Sequence, residues 1–219
     1  MADHPAPDGR PAIDSALTTE VLLICGLPGA GKSTLLKGWL AGRPDTERWA
    51  LMVNGIAGLA GADRDPGVTV AMLAGGCPCC SGQVVFGVTL TRLLRGGPFA
   101  RLIIEVSGIG HPGRLVDRMR IPELVSRLSI RPTVMVVDAT RPDPFFDPHH
   151  PAHQLALDQL DSARLLVISR ADAVTPAAER ALCERLTSLS GRSPALLSSR
   201  HGAVRLSDAL AAMPLHWNL

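Results

Sequence analysis

Short apolar runs alternate with segments of helical spacing along most of this chain. The runs of strand character cover residues 21–25, 51–53, 68–73, 102–106, 134–138, 165–168 and 195–197. Helical spacing follows Thr34 and recurs over residues 84–94, 176–189 and 204–212. Strands of a parallel sheet are buried on both faces, so their residues are apolar throughout. The alternation predicts an α/β fold: a doubly wound, mostly parallel sheet of about six to seven strands flanked by helices, with ligands at the carboxyl ends of the strands.

A glycine-rich motif lies between the first predicted strand and the first predicted helix. It fits the pattern G-x-x-x-x-G-K-[ST] and consists of Gly26, Leu27, Pro28, Gly29, Ala30, Gly31, Lys32, Ser33 and Thr34. In such a loop the backbone N–H groups turn inward around a phosphate, and the start of the helix adds partial positive charge. Lys32 can then reach the β- and γ-phosphates, and the Ser33 hydroxyl can bind Mg²⁺. The flanking strand and helix favour this P-loop NTPase interpretation over a glycine-rich turn with a chance lysine.

Glu105 and Gly108 lie at the end of another apolar strand. A carboxylate at this point can hold a water on Mg²⁺, while Gly108 lets the backbone approach the γ-phosphate. Lys32 and Glu105 are therefore the predicted catalytic residues, and Ser33 and Glu105 are the predicted magnesium ligands. The alternative for Glu105 is a carboxylate that caps a helix beginning near Pro112.

Polar residues also end the two strands predicted at 134–138 and 165–168. Asp138 fits a nucleotide role and an N-cap or turn role equally well. Ser169, Arg170 and Asp172 lie where a base-reading segment is expected, and Asp172 can accept hydrogen bonds from the N1–H and amino group of guanine. An ordinary turn with a capping aspartate explains this segment as well, so both interpretations stay open.

Three of the five cysteines, Cys77, Cys79 and Cys80, fall within four residues. Clustered thiolates after a predicted strand favour a soft metal, zinc before copper(I), over a disulfide framework. Three sulfurs leave one tetrahedral position for a water, another side chain or a partner's ligand. A redox thiol pair and an incidental loop of small residues are the alternatives. Cys25 and Cys183 lie among apolar residues and are predicted to be core residues.

A weaker metal candidate is the proline-broken loop that contains His149, His150 and His153. Such a histidine cluster can load metal ions weakly. A mobile, solvated loop is the favoured interpretation.

Composition narrows the class of protein. The 219 residues suit one large domain, and we expect a flexible tail over 1–18 and a single domain over 19–219. An apolar share of 46% and a mean hydropathy of +0.19 agree with a sheet covered on both faces. No apolar stretch is long enough to cross a bilayer and no secretory signal starts the chain, so we expect a cytoplasmic protein. A net charge of +2 and 3% aromatic residues, with no tyrosine, argue against nucleic acid as a partner.

These motifs together resemble the CobW-like metal-trafficking GTPases and, within them, the YeiR-like zinc-binding branch. The resemblance runs from about residue 19 to about residue 178. It depends on the order of four segments: the P-loop, the C-x-C-C cluster Gly76-Cys77-Pro78-Cys79-Cys80, the E-x-x-G segment from Glu105 to Gly108 with the Gly110-His111-Pro112 that follows, and Val136-Val137-Asp138-Ala139.

The resemblance implies a zinc-binding GTPase that binds GTP or GDP with Mg²⁺, hydrolyses GTP, and acts as a metallochaperone or in metal homeostasis. It also implies a metalloprotein client. A homodimer or the client is expected to complete the hydrolytic site, so hydrolysis by the chain alone should be slow. His111 matches the family pattern and is expected near the nucleotide or the metal.

Three departures from the family pattern bear on these expectations. The segment after the second strand has Asn54-Gly55 where the family has Asn-Glu, so this switch segment lacks a carboxylate. The base-reading segment keeps only Asp172 of the usual Asn-Lys-x-Asp, which weakens the expected discrimination of guanine from adenine. The family's C-terminal domain is expected to be absent, since the sequence stops at Leu219.

Two other classes of protein fit parts of the sequence. A P-loop small-molecule kinase or ATPase would need an arginine-bearing lid, for which Arg92, Arg95, Arg114 and Arg118 are candidates. A non-catalytic, nucleotide-gated zinc carrier would bind both ligands tightly without turnover. The C-x-C-C cluster has no purpose in a kinase, and this favours the GTPase interpretation.

Overall fold

Eight parallel strands form one sheet in the part of the chain that the computed structural model describes, residues 18–53, 61–73 and 83–213. The strands are β1 (Thr19–Cys25), β2 (Trp49–Val53), β3 (Val68–Met72), β4 (Arg101–Glu105), β5 (Leu128–Ile130), β6 (Thr133–Asp138), β7 (Ala163–Ser169) and β8 (Ala195–Ser198). Their order across the sheet is β3-β2-β4-β1-β6-β7-β8. The short β5 pairs with the first residues of β1, and β6 pairs with its last two.

Helices cover both faces of this sheet. They are α1 (Lys32–Ala41), α2 (Gln83–Arg95), α3 (Pro112–Met119), α4 (Pro122–Val125), α5 (Asp143–Phe146), α6 (His153–Ser162), α7 (Pro176–Ser190) and α8 (Leu206–Ala212). One core cluster packs α2, α3, α6 and α7 on one face through residues such as Leu90, Leu115 and Leu182. The other packs α1 and α8 on the opposite face, with Leu36 and Trp39 fully buried. Burial on both faces explains why the central strands are apolar throughout.

Polar residues lie at the carboxyl ends of three of the central strands. Glu105 ends β4, Asp138 ends β6 and Ser169 ends β7. Because all strands are parallel, these three residues meet at one edge of the sheet, where β1 also runs into the glycine-rich loop. The topology therefore gathers the polar groups into one candidate site.

The predicted fold class is confirmed, and every strand expected from the sequence is present. The described residues contain eight strands, one more than expected, because the three-residue β5 is too short for its pattern to stand out. No helix among the described residues is long and apolar enough to cross a membrane. Residues 1–17, 54–60, 74–82 and 214–219 lie outside the description, and the division into a tail and a single domain stays a prediction.

Candidate nucleotide-binding site

The glycine-rich loop connects β1 to α1 and has the backbone that its glycines allow. Gly26, Gly29 and Gly31 have φ values of 137°, 75° and 103°, a region that side-chain-bearing residues rarely adopt. A Cβ on Gly26 would lie 2.4 Å from the backbone oxygen of Val136 in β6, so only glycine fits this close approach. The loop thus lies directly against the neighbouring strand, and α1 begins at Lys32.

Lys32 is folded into the loop that precedes it. Its Nζ donates hydrogen bonds to the backbone oxygens of Gly26, at 2.9 Å, and Leu27, at 3.1 Å. The residue is only 8% exposed. Burial lowers the pKa of the Lys32 ammonium, and the nearby charge of Glu105 opposes that shift. A buried ammonium at the start of a helix is a strong site for an anion.

Ser33 and Glu105 are in direct contact. The Ser33 Oγ donates a hydrogen bond to Oε1 of Glu105 over 3.0 Å, which joins α1 to the end of β4. Hydroxyl and carboxylate oxygens are the ligands that Mg²⁺ prefers, so this donor set fits the ion that the sequence predicts. The N-cap residue of α3 is His111, and the Glu105 carboxylate contacts Ser33 at the start of α1, which favours the magnesium interpretation over a helix cap.

The loop after β4 packs against the glycine-rich loop. A Cβ on Gly108 would lie 2.7 Å from the backbone nitrogen of Pro28, so a larger residue would push the two loops apart. The backbone nitrogen of Gly110 donates to the oxygen of Ser107 over 2.7 Å and closes this loop into a tight turn. The structure thus shows a close approach of Gly108 to Pro28, while its approach to a γ-phosphate stays a prediction.

Asp138 is held by a turn and by two arginines. Its Oδ1 accepts hydrogen bonds from the backbone nitrogen and hydroxyl of Thr140, at 3.0 and 2.7 Å. Its Oδ2 accepts from Nε of Arg141, at 2.7 Å, and from Nη1 of Arg170. Arg170 also donates from Nη2 to the backbone oxygen of Gly29 over 3.1 Å. Of the two interpretations for Asp138, these contacts favour the turn, which here also places two guanidinium groups against the glycine-rich loop.

A cavity of about 210 Å³ opens at the carboxyl ends of β7 and β8. Its lining includes Thr34, Ser169, Arg170, Asp172 and His201. The Ser169 hydroxyl donates inward to the backbone oxygen of Ala30 over 2.7 Å, so its proton supports the glycine-rich loop. Arg170 adopts a left-handed conformation, with a φ of 54°, and contributes to the lining of the cavity.

Asp172 presents a fixed carboxylate to this cavity. Its Oδ1 accepts a hydrogen bond from the backbone nitrogen of His201 over 3.1 Å, and this bond holds the pKa of Asp172 below its usual range. The carboxylate is therefore ionised near neutral pH and acts only as a hydrogen-bond acceptor.

Sequence reasoning missed the loop after β8. Ser199, His201 and Gly202 line the cavity together with the expected residues. The signal that could have found them is positional, since residues after β8 lie beside those after β7 once the two strands pair in parallel.

The chain matches the family described as "CobW/HypB/UreG, nucleotide-binding domain" over residues 20–196. The chain belongs to this family. It is 34% identical over 189 residues to the zinc chaperone YeiR of Escherichia coli (strain K12), an alignment that covers 85% of this chain and 56% of that protein. It is 28% identical over 210 residues to the zinc chaperone CobW of Sinorhizobium sp, covering 83% and 59%. The chain thus spans little more than half the length of these relatives.

A solved structure agrees with this CobW/HypB/UreG assignment at the level of fold. The Zn(II)-bound YjiA GTPase from E. coli superposes with a TM-score of 0.62 at 23% identity, over 87% of this chain and 60% of that one.

The predicted zinc ligands of this CobW/HypB/UreG domain, Cys77, Cys79 and Cys80, lie outside the described residues, as does Asn54-Gly55. Within residues 18–53, 61–73 and 83–213, no group of three or more His, Cys, Asp or Glu side chains is arranged to hold a metal ion. The described residues include the weaker metal candidate, His149, His150 and His153, which therefore form no such group.

Two of the three histidines of that candidate have local contacts through their rings. The His150 Nδ1 accepts from the backbone nitrogen of Ala152 over 3.0 Å, and the His153 Nδ1 lies 3.0 Å from the oxygen of Pro144. The expectation that His153 belongs to a loop is wrong, because it is the first residue of α6. The sequence also predicts that His111 lies near the nucleotide or the metal. Its Nδ1 is 3.5 Å from Oδ2 of Asp158 in α6.

Proposed function

We propose that this chain is the nucleotide-binding domain of a zinc chaperone that binds GTP with Mg²⁺ and hydrolyses it, and that residues 19–219 form one domain. The observation that carries the proposal is the contact between Ser33 and Glu105 beside the buried Lys32. It brings the cation and the oxygen ligands that a triphosphate with its metal requires to one edge of the sheet. The family and the names of the relatives support the zinc part.

The chemistry assigned to these residues is electrostatic. The Lys32 ammonium and the backbone N–H groups of residues 29–33 stabilise negative charge that develops on the transferred phosphoryl group. Ser33 and Glu105 would hold Mg²⁺, which supplies further charge neutralisation when bound. We assign the group that orients the attacking water to a second copy of the chain or to a client, and therefore expect slow hydrolysis by the chain alone.

The base specificity that we propose depends on Asp172. An ionised carboxylate accepts from both the N1–H and the amino group of guanine, whereas the N1 of adenine is itself an acceptor and would face it unfavourably. The bond from His201 holds the Asp172 carboxylate at the cavity, and Arg170 lines the same cavity. These contacts support a preference for GTP over ATP, despite the loss of the usual asparagine and lysine.

Zinc is proposed as the cargo, held by Cys77, Cys79 and Cys80 and passed to a metalloprotein client. Three thiolates bind zinc tightly but leave a coordination position through which a client's ligand can enter. A cytoplasmic location, where such thiols stay reduced, belongs to the same proposal.

Calorimetric titration of the metal-free protein with GTP and with ATP, both with Mg²⁺, tests the proposal. We expect saturable binding of GTP, weaker binding of ATP, and a changed GTP affinity after zinc loading. Equal affinity for the two nucleotides would contradict the base assignment. Saturable nucleotide binding accompanied by phosphate transfer to an acceptor, without consumption of water, would favour a kinase instead.

A further inference from the structure

Gln159, on α6, is a buried polar residue that touches the loop after β4. The residue is fully buried, with an exposure of 0%. Its Nε2 donates to the backbone oxygen of Gly110 over 2.8 Å and to that of Gly108 over 3.3 Å. Neither the sequence motifs nor the proposed chemistry uses this residue.

The loop that Gln159 touches is packed against the glycine-rich loop on its other side. Gly108 approaches Pro28 so closely that a Cβ would lie 2.7 Å from its backbone nitrogen. The strand that leads into this loop ends at Glu105, whose carboxylate contacts Ser33. Residues 108–110 are therefore confined between the proposed γ-phosphate position and α6.

The two ends of the Gln159 side-chain amide differ in their hydrogen bonding. Its Oε1 is buried and has no hydrogen-bond partner among the described residues. An acceptor buried without a donor is unfavourable, and an apolar side chain in this position would avoid it. The amide nitrogen, however, donates hydrogen bonds to two loop carbonyls, which an apolar side chain cannot do.

We propose that Gln159 is a positioning residue that holds residues 108–110 in the geometry that distinguishes GTP from GDP. Gln159 holds the two carbonyls from the side of α6. The opposite side of the loop therefore stays against the glycine-rich loop, where a γ-phosphate is present in GTP and absent in GDP. This inference rests on the proposed function, since it concerns the same nucleotide site.

The test compares nucleotide affinities of the full chain with those of two variants. Gln159→Met removes the donor at similar side-chain volume, and Gln159→Leu removes it with a branched apolar side chain of similar size. Dissociation constants are measured for a non-hydrolysable GTP analogue and for GDP, and the melting temperature is recorded alongside. Gln154→Leu is the matched control, because Gln154 lies exposed on the same helix and its bond to Asp158 leaves both carbonyls of the loop untouched.

We expect both Gln159 variants to bind the GTP analogue roughly tenfold more weakly than the unmodified chain, with GDP affinity unchanged, as the loss of ordinary hydrogen bonds would predict. The control should change neither value. A parallel loss for both nucleotides, or an unchanged ratio in folded variants, would overturn the role of Gln159. If the unmodified chain bound neither nucleotide, the proposed function would fail, and this inference with it.

A second measurement needs no variant. Hydrogen exchange of the unmodified chain should show peptides covering residues 107–111 and α6 more strongly protected with the GTP analogue than with GDP. Equal protection of these peptides in the two complexes would contradict the inference even if both Gln159 variants failed to fold.

Discussion

Hydrogen bonds and ion pairs with neighbouring residues hold individual polar side chains of this site in place. Asp138 illustrates the balance: burial raises the pKa of its carboxyl, but hydrogen bonds from Thr140 and Arg141 and the charge of Arg170 lower it by more. Cys25 shows the opposite case, since burial raises the pKa of its thiol to about 12 and keeps it protonated. As expected from the sequence, Cys25 is a core residue.

Replacing Asp138 by asparagine should destabilise the fold by about 1 kcal/mol at pH 7, because the hydrogen bonds from two guanidinium groups lose their charged acceptor. The folded-state pKa of Asp138 is lowered, so its contribution is complete above the ordinary Asp value of about 3.9 and is lost as the pH falls through the lowered value. Urea denaturation at several pH values would measure this. The exposed Asp45→Asn serves as the control, and a difference that persisted or grew in acid would contradict the account.

Cys79→Ala should lower zinc affinity strongly, because removing one of three thiolates leaves too few soft ligands. Competition against a chromogenic chelator gives both stoichiometry and affinity. Cys183→Ala is the matched control, since Cys183 packs beside the core on α7. An unchanged zinc stoichiometry in Cys79→Ala would remove zinc from the proposal.

Between elements, the loop after β8 is fixed from α7. Glu179 is 9% exposed, accepts from the Ser198 hydroxyl through Oε1, and accepts from Arg200 through Oε2 over 2.8 Å. Arg200 also donates to the backbone oxygen of Ala171 over 3.1 Å. These bonds join the segment that carries Asp172 to the one that carries His201, so they shape the cavity between them.

Glu179→Ala should therefore reduce the preference for GTP over ATP several-fold, since the loop after β8 would no longer hold Asp172 in one orientation. The ratio of the two dissociation constants is the measurement, and Glu184→Ala, exposed on the same helix, is the control. A lower melting temperature with an unchanged ratio would mean that Glu179 serves stability alone.

How far the sequence predicts the structure differs between elements. Long apolar strands and the glycine-rich loop follow from local patterns, because burial on both faces and tight turns restrict the residue types directly. Local patterns do not predict the three residues of β5, nor do they predict α6, in which the polar Gln159 faces the interior. Their placement depends on contacts with β1 and with the loop after β4, and such partners distant in sequence leave no local signature. The residues after β8 join the site only through strand pairing.

At the scale of the whole molecule, the parallel sheet places the loops of the proposed site at one edge. β1 leads into the glycine-rich loop, β4 leads into the loop with Gly108, and β7 and β8 end at the cavity lined by Asp172 and His201. β3 ends at the same edge, and the segment with the three cysteines follows it in sequence. On this arrangement we base the proposal that zinc and nucleotide binding are coupled.

The coupling should be reciprocal, because linked equilibria change each other's affinity by the same factor. If zinc alters the affinity for a non-hydrolysable GTP analogue, the analogue should alter zinc affinity equally, typically within about 5- to 150-fold. Titrations in both orders measure the two factors. Affinities that did not depend on the other ligand in either order would contradict the coupling.

The central claim is that the glycine-rich loop and Lys32 bind the phosphates of a nucleoside triphosphate, and the affinity of Lys32→Ala for GTP tests it most directly. Lys37→Ala, exposed on the same helix, is the control. We predict that Lys32→Ala loses GTP affinity by on the order of a hundredfold or more, through the loss of charge-assisted hydrogen bonds, while zinc binding and the control stay unchanged. Equal GTP affinity in Lys32→Ala and the unmodified chain would contradict the account.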